Sequence, residues 1–434
     1  MIEGILRGIL GVVLLLGLCY VISNARRNIN WRLVGSGVGL QVILAAMILA
    51  TPFGDAVEWI SGLFVKLLSF SDEGAKFMFG ELIDASRYGF AFKVLPTILF
   101  VAALTSLLYY LGILQRIVFG FAWVMTRLMK LSGAESLATA ANVFVGQTEA
   151  PLVVRPYVGS MTKSELMALM TGGMATIAGS VFGLYVVTLG GADVETQTAI
   201  ARQLLTASMM NAPAALLIAK MLIPEREEVD EDLFVPREKA GRNALDALAK
   251  GTTEGLKLAL NVAAILIVFV AVIALANAIL GWFGGLGGTD ETAGWLDRLV
   301  QSMSGGSFSG LSLQALLGFL FAPIAAAIGV EGADVLKMGQ LLGTRMVANE
   351  FVAYLELGAM KEAATLSPKS IFLATFALCG FANFASIGIQ IGGIGALAPE
   401  RRSDLAALGF RAMIGGTIAS LLTASIAGMF FSGG

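Results

Sequence analysis

Eight stretches of this chain, at residues 5–23, 33–51, 90–110, 166–189, 198–223, 255–282, 368–391 and 405–430, run for about 20 residues with at most two charges each. Roughly 20 apolar residues in a helix cross the hydrocarbon core of a bilayer while satisfying their own backbone polar groups. With 57% hydrophobic and 14% charged residues and a mean hydropathy of +0.81, the usual division of 434 residues into two or three soluble domains does not apply. The expected fold class is an all-α polytopic membrane protein with about eight transmembrane helices.

Other classes drop out on composition. A net charge of -2, from 29 basic against 31 acidic residues, and the lack of a basic tract give no footprint for nucleic acid. Histidine is absent, and Cys19 and Cys379 both lie in apolar runs, so neither a disulfide framework nor a zinc-type cluster is expected. The first run has only Arg7 ahead of its apolar stretch and no small-residue cleavage site after it, and reads as a retained span.

Positive charges gather between the runs: Arg26, Arg27 and Arg32, then Arg116, Arg127 and Lys130, then Arg237, Lys239, Arg242 and Lys250, then Arg401 and Arg402. Placing these on the cytoplasmic side threads all eight spans with both termini outside. The stretch 225–250 is a charged cytoplasmic connector dividing the chain into halves. Two segments do not enter the count, the amphipathic 56–82 and the apolar 311–330, and parity makes them surface-lying or re-entrant helices.

The halves echo one another. Residues 145–149 (VGQTE) interrupt an apolar region and precede a span carrying Gly172, Gly173, Gly179, Ser180 and Gly183. Residues 347–350 (VANE) do the same ahead of Gly380, Asn383, Ser386, Gly388, Gly392 and Gly393. In the threading above the two echoes start from opposite faces. Interrupted segments at corresponding places of inverted halves are the sequence mark of a secondary transporter's midplane site.

Glu149 and Glu350 sit at the two interruptions, and an intramembrane carboxylate is costly unless it has a role. Pro151 suits the first turn of a helix whose positive end would face Glu149. The plain alternatives are ion pairs with Arg155 and Arg345. Two carboxylates beside Gln147, Thr148, Asn349, Asn383 and Ser386 suit a neutral solute rich in hydroxyl or amide groups, because ionised carboxylates accept strong hydrogen bonds. A hard monovalent cation could use Asn142, Thr176 and the carbonyls near Val145 and Ile177, although ordinary interhelical hydrogen bonding also explains Asn142 and Thr176.

The strings GQTEAPLVVRPY (146–157), VANEFVAY (347–354) and ALCGFANFASIGI (377–389) resemble the signature regions of the concentrative nucleoside transporter family in its shorter bacterial form. The likeness runs from the first span to the last. It implies a homotrimer whose protomers have eight spans, two re-entrant hairpins and interfacial helices, split into a scaffold and a mobile transport domain. By that likeness, residues 1–130 and 254–334 are mainly scaffold with interfacial segments. Residues 131–224 and 335–434 are the two halves of the transport domain, and 225–253 is the linker.

The resemblance further implies that Gln147, Thr148 and Glu149 contact the nucleobase, with Val181 beside it and Phe381 at an aromatic position. Glu350, Asn383 and Ser386 would hold the ribose hydroxyls. Sodium, the coupling ion, would be held by Asn142, the carbonyls of Val145 and Ile177, and Thr176, where a serine is the family's habit. No organic cofactor and no catalysis are expected. The sequence thus reads as a cation-coupled symporter, most simply sodium-driven, importing nucleosides such as uridine across a bacterial inner membrane. Proton coupling through Glu149 or Glu350, a passive channel, and an intramembrane enzyme using the two carboxylates are the rival readings.

Overall fold

The computed structural model describes residues 2–83, 92, 95–191, 193–227, 230, 241–288 and 293–431. Helices α1 (Ile2–Ile22) and α2 (Trp31–Ala50) precede α3 (Phe53–Phe79). The last buries Val57, Ser61, Val65 and Leu68 at helical spacing and exposes Trp59, Phe70 and Phe77. That two-sided character is compatible with a helix lying in a membrane interface, one of the two placements expected for 56–82. Helix α4 (Leu95–Tyr110) then meets α5 (Ile113–Met129) at 77°, the chain turning at Gly112, whose φ of +74° a side chain would strain.

The remainder of the first half comprises α6 (Gly133–Asn142), two single turns α7 (Ala150–Val153) and α8 (Arg155–Val158), then α9 (Lys163–Ala175), α10 (Gly179–Gly190) and α11 (Val194–Leu222). Pro151 and Pro156 each open one of the single turns, so this arm cannot form a continuous helix. Arg237 and Lys239 of the charged connector lie outside the described residues. Beyond it stand α12 (Ala244–Gly284), α13 (Trp295–Met303), α14 (Leu313–Ala327), α15 (Val335–Val347), α16 (Glu350–Glu362), α17 (Pro368–Ala377), α18 (Phe384–Leu397) and α19 (Arg402–Gly428).

Six helices among the described residues are long and apolar enough to cross a membrane, or seven if α4 and α5 form one bent span. Of the eight apolar runs, 90–110 carries α4 over its described part, and 368–391 is divided between α17 and α18. The run 166–189 is likewise interrupted, at residues 176–178 between α9 and α10. The run 311–330 becomes α14, which packs lengthwise on α15. Close approach there depends on small residues: a Cβ at Gly343 would meet the Leu317 side chain at 2.6 Å, and one at Gly339 would meet the Ala322 nitrogen at 2.9 Å.

Helix α11 is the centre, enclosed by α2, α3, α9, α10 and α19, while α12 is largely exposed apart from a long seam along α4 and contacts with α13 and α14 near its end. In that seam Gly251 and Gly255 face the α4 backbone, and Ser106 donates to the Ala247 carbonyl at 2.8 Å. Where α11 ends, Lys220 is ion-paired with Glu135 of α6 at 2.8 Å and with Glu225 at 2.9 Å, and the first two side chains are buried. Glu135 also completes the capping box of α6 with Ser132, and Thr162, which caps α9, donates to Glu225. One lysine therefore fastens the starts of α6 and α9 to the end of α11.

Removing one partner of a buried pair leaves an uncompensated charge and costs about 3–5 kcal/mol. Lys220→Met is expected to lower the melting temperature of the purified protein markedly, and Glu135→Gln in the same chain to restore part of the loss. Partial burial raises the Glu225 carboxyl, but Lys220, Thr162 and the Arg226 amide outweigh it and hold it below the usual range. Its stabilisation is complete above the ordinary glutamate pKa and is lost as pH falls through the lower folded-state value. A thermal-unfolding series from neutral to acid pH should show that decline, and Glu225→Gln should flatten it.

Candidate functional site

Both interrupted spans break at the same depth of the bundle, and their breaks touch. Gly380, at φ +148°, lies so close to α9 that a Cβ would meet the Ala175 oxygen at 2.6 Å and the Met174 oxygen at 2.8 Å. Unwinding leaves carbonyls without helical partners, which in a membrane interior must be satisfied by protein. Asn211 of α11, fully buried, donates to the Ala175 carbonyl at 2.7 Å and to the Cys379 carbonyl at 2.8 Å. A single amide thus bridges the two breaks. Pro213, two residues on, sits inside the same helix.

The first hairpin turns between Asn142 and Glu149. Its tip is fixed to the start of α10 by the Gly179 amide, which donates to the Phe144 carbonyl at 3.0 Å, and to α11 by Ser208 on the Val143 carbonyl at 3.3 Å. Glu149 stands immediately before α7 without a side-chain capping bond and lies exposed with Thr148, whereas Gln147 is buried. No ion pair joins Glu149 to Arg155, which is exposed. Gly173 of α9 leaves the room that Gln147 occupies, since a Cβ there would lie 3.0 Å from the glutamine's own Cβ.

The second hairpin places Glu350 in the first turn of α16, behind Asn349, which caps that helix by accepting from the Val352 amide at 2.9 Å. Asn383 caps α18 in the same way, its side-chain oxygen accepting from the Ser386 amide at 2.9 Å. Capping fixes which end of the amide is oxygen, so its NH2 must point away from the helix. It donates to the Glu350 carboxylate at 3.0 Å, and the Tyr185 hydroxyl of α10 donates to the other carboxylate oxygen at 2.9 Å.

Gln147 donates to the Ser386 hydroxyl at 3.0 Å and accepts from Gln390 at 3.0 Å, and Gln390 donates in turn to the Met170 carbonyl at 3.1 Å. A continuous polar chain therefore runs from the tip of the first hairpin through α18 to the carboxylate of the second. Gln147, Asn383, Ser386 and Glu350 are brought together. Val181 is buried in the first turn of α10, and Phe381 is half-buried within the second break. Tyr185, Gln390 and Asn211 complete the arrangement and were not singled out by the sequence.

The residues proposed as cation ligands surround the first break. Thr176 is extended there, its hydroxyl donating to the Gly172 carbonyl at 2.9 Å and leaving its oxygen lone pairs free. Asn142, 1% exposed, has no hydrogen-bond partner on either amide atom. The carbonyls of Val145 and Ile177 accept no backbone hydrogen bond among the described residues. Oxygens without protein partners beside a break are of the chemical kind that a hard monovalent ion takes. Arg345, fully buried, makes no ion pair with Glu350 and donates instead to the Ala377 carbonyl and, at 2.7 Å, to the Ser420 hydroxyl.

Two facing hairpins, two touching breaks and an uncharged donor set beside a carboxylate define a secondary transporter rather than a catalytic centre. Comparison with known proteins agrees. Residues 203–428 match the profile of the C-terminus of Na+ dependent nucleoside transporters, residues 10–82 that of their N-terminus, and residues 91–192 a nucleoside recognition (Gate) profile. An uncharacterized transporter of Haemophilus influenzae is 43% identical over 98% of both chains. Sodium/nucleoside cotransporter 1 of Rattus norvegicus is 38% identical over 97% of this chain and 63% of its own length.

Among solved structures, CNTnw in an inward-facing substrate-bound state matches with a TM-score of 0.86 at 38% identity, covering 98% of each chain. A doubly substituted CNTnw in an outward-facing state matches with a TM-score of 0.88, covering 99% of this chain and 98% of that one. The chain belongs to the Na+-dependent nucleoside transporter family, and it is a transporter, not an enzyme.

A hydrogen bond to a buried carboxylate is worth roughly 1.5–3 kcal/mol. Tyr185→Phe should therefore lower the melting temperature, and Tyr185→Phe with Glu350→Gln should cost clearly less than the sum of the two single changes. Thermal unfolding of the three variants, read as a double-mutant cycle, checks the coupling.

Proposed function

We propose that this protein is a sodium-coupled symporter that imports nucleosides, uridine among them, across a bacterial inner membrane. The observation that carries this reading is the polar chain from Gln147 to Glu350 lying next to the unpartnered Asn142. Glu350, Asn383 and Ser386 hold the ribose hydroxyls, the carboxylate accepting on the lone pairs that Tyr185 and Asn383 leave free. Gln147, Thr148 and Glu149 address the base, with Val181 and Phe381 against its faces. The exposure of Thr148 and Glu149 fits groups that meet the solute from an open side.

Sodium binds at Asn142, Thr176 and the carbonyls of Val145 and Ile177. In doing so it ties the end of α6, the tip of the first hairpin and the first break into one body. The same tip carries Gln147, so ion binding orders a nucleoside contact. By linkage the nucleoside tightens sodium by the same factor. Residues 131–224 and 335–434 move as the transport domain against a scaffold from 1–130 and 254–334. Helix α12, with its exposed apolar face, contributes to a homotrimeric centre, and both termini lie on the periplasmic side.

Uptake of radiolabelled uridine into proteoliposomes tests the reading. An inward sodium gradient should drive accumulation above the outside concentration, a proton gradient alone should not, and Glu350→Gln should abolish uptake. Proton-driven accumulation would overturn the cation assignment, and flux that only equilibrates would replace the symporter by a channel. Asn142→Ala should weaken the response to sodium while raising sodium recovers uptake.

A further inference from the structure

The two halves repeat the same order: a hairpin helix (α6, α15), a tip, a returning arm, a span in two pieces (α9 and α10, α17 and α18) and an unbroken helix (α11, α19). They differ in what stands near the end of the first hairpin helix. In the first half it is Asn142, facing Gly172 of α9 with both amide atoms unpartnered, one turn before the break after Ala175. In the second half it is Arg345, whose guanidinium reaches the carbonyl of Ala377, the last residue of α17, and the Ser420 hydroxyl of α19.

A half-helix ends in partly negative carbonyls, and a cation there is stabilised by them. In the first half that end is offered to a mobile ion. In the second half a fully buried guanidinium already stands there, with its Nε and second terminal nitrogen unpartnered and no carboxylate within ion-pair distance. Isolated positive charge inside a membrane protein is costly, and pairing with Glu350 is not what holds it. Its partners are a carbonyl and a hydroxyl, the kinds of oxygen that a sodium ion takes.

We infer that Arg345 is the second half's built-in cation: it occupies the position that repeats the sodium site, and so leaves the transporter with one mobile coupling ion. This rests on the assignment of sodium to Asn142 and Thr176. The guanidinium gives the second break the charge that sodium gives the first, permanently and without release. Each break is then neutralised, one by the cargo ion and one by the chain.

The test is the sodium dependence of uridine binding to the purified, full-length protein, compared with Arg345→Ala, Arg345→Gln, Arg345→Lys and Asn142→Ala. The unmodified protein should show a Hill slope of about one. Arg345→Ala should bind uridine at least about tenfold more weakly at low sodium, with a slope approaching about two as a second ion enters, and guanidinium should restore both affinity and a slope near one. Arg345→Lys should keep the slope near one.

A folded Arg345→Ala or Arg345→Gln that retains uridine affinity and a slope of one overturns the inference. So does loss of folding in both neutral variants that Arg345→Lys relieves but neither sodium nor guanidinium does. Asn142→Ala separates the two assignments. If it leaves sodium dependence intact, the first-half site is misplaced, and the repeat on which the role of Arg345 rests falls with it. If it abolishes sodium dependence while Arg345→Ala changes neither slope nor affinity, only Arg345 is misassigned.

Discussion

Asn211 bears the constraint on which the rest of the structure depends. Two spans are unwound near the middle of the bundle, and each leaves carbonyls that the bilayer cannot solvate. One buried amide donates to both, on the Ala175 and Cys379 oxygens. The breaks are therefore tied together where they meet, against α11. That fixes the relation between the hairpins, because each tip is held to the break of its own half or to the helix that crosses it.

Around this crossing, small residues and buried charge settle the geometry more than apolar area does. Between helices that lipid could equally well solvate, close approach is the source of attraction. Glycines supply it between α4 and α12 and between α14 and α15. At the far end of α11, Lys220 pins α6 and α9 through Glu135 and Glu225. The first hairpin is thus anchored at its base by charge and at its tip by backbone hydrogen bonds, while its returning arm, divided by Pro151 and Pro156, is left with little regular structure of its own.

Much of this was legible in the sequence because membrane helices announce themselves by length and polar residues within them by contrast. The two-faced helix over 56–82 and the two carboxylates at the interruptions were found in that way. Asn383 and Ser386 stood out as polar residues in an apolar run, and they join Glu350 and Gln147. Tyr185 did not stand out, since an aromatic residue in GSVFGLYVVTLG reads as apolar filling. Asn211 carried a signal that could have been used: an amide two residues before a proline in the middle of an apolar run. The seam between α14 and α15 was hidden for another reason. Parity of crossings says where a segment cannot span, but not what it packs against.

The polar chain between the hairpins has a thermodynamic consequence. Gln147, Ser386, Asn383, Glu350 and Tyr185 hold one another in place, so a hydroxyl entering at Gln147 or Ser386 would exchange one hydrogen bond for another, and only Glu350 keeps lone pairs to spare. Exchange sets a ceiling on how tightly any solute is held, and it spares the vacated carrier the penalty of bare polar groups. A protein that must reverse direction after every delivery gains from both, because weak retention hastens unloading and a self-satisfied interior lowers the barrier to the return stroke.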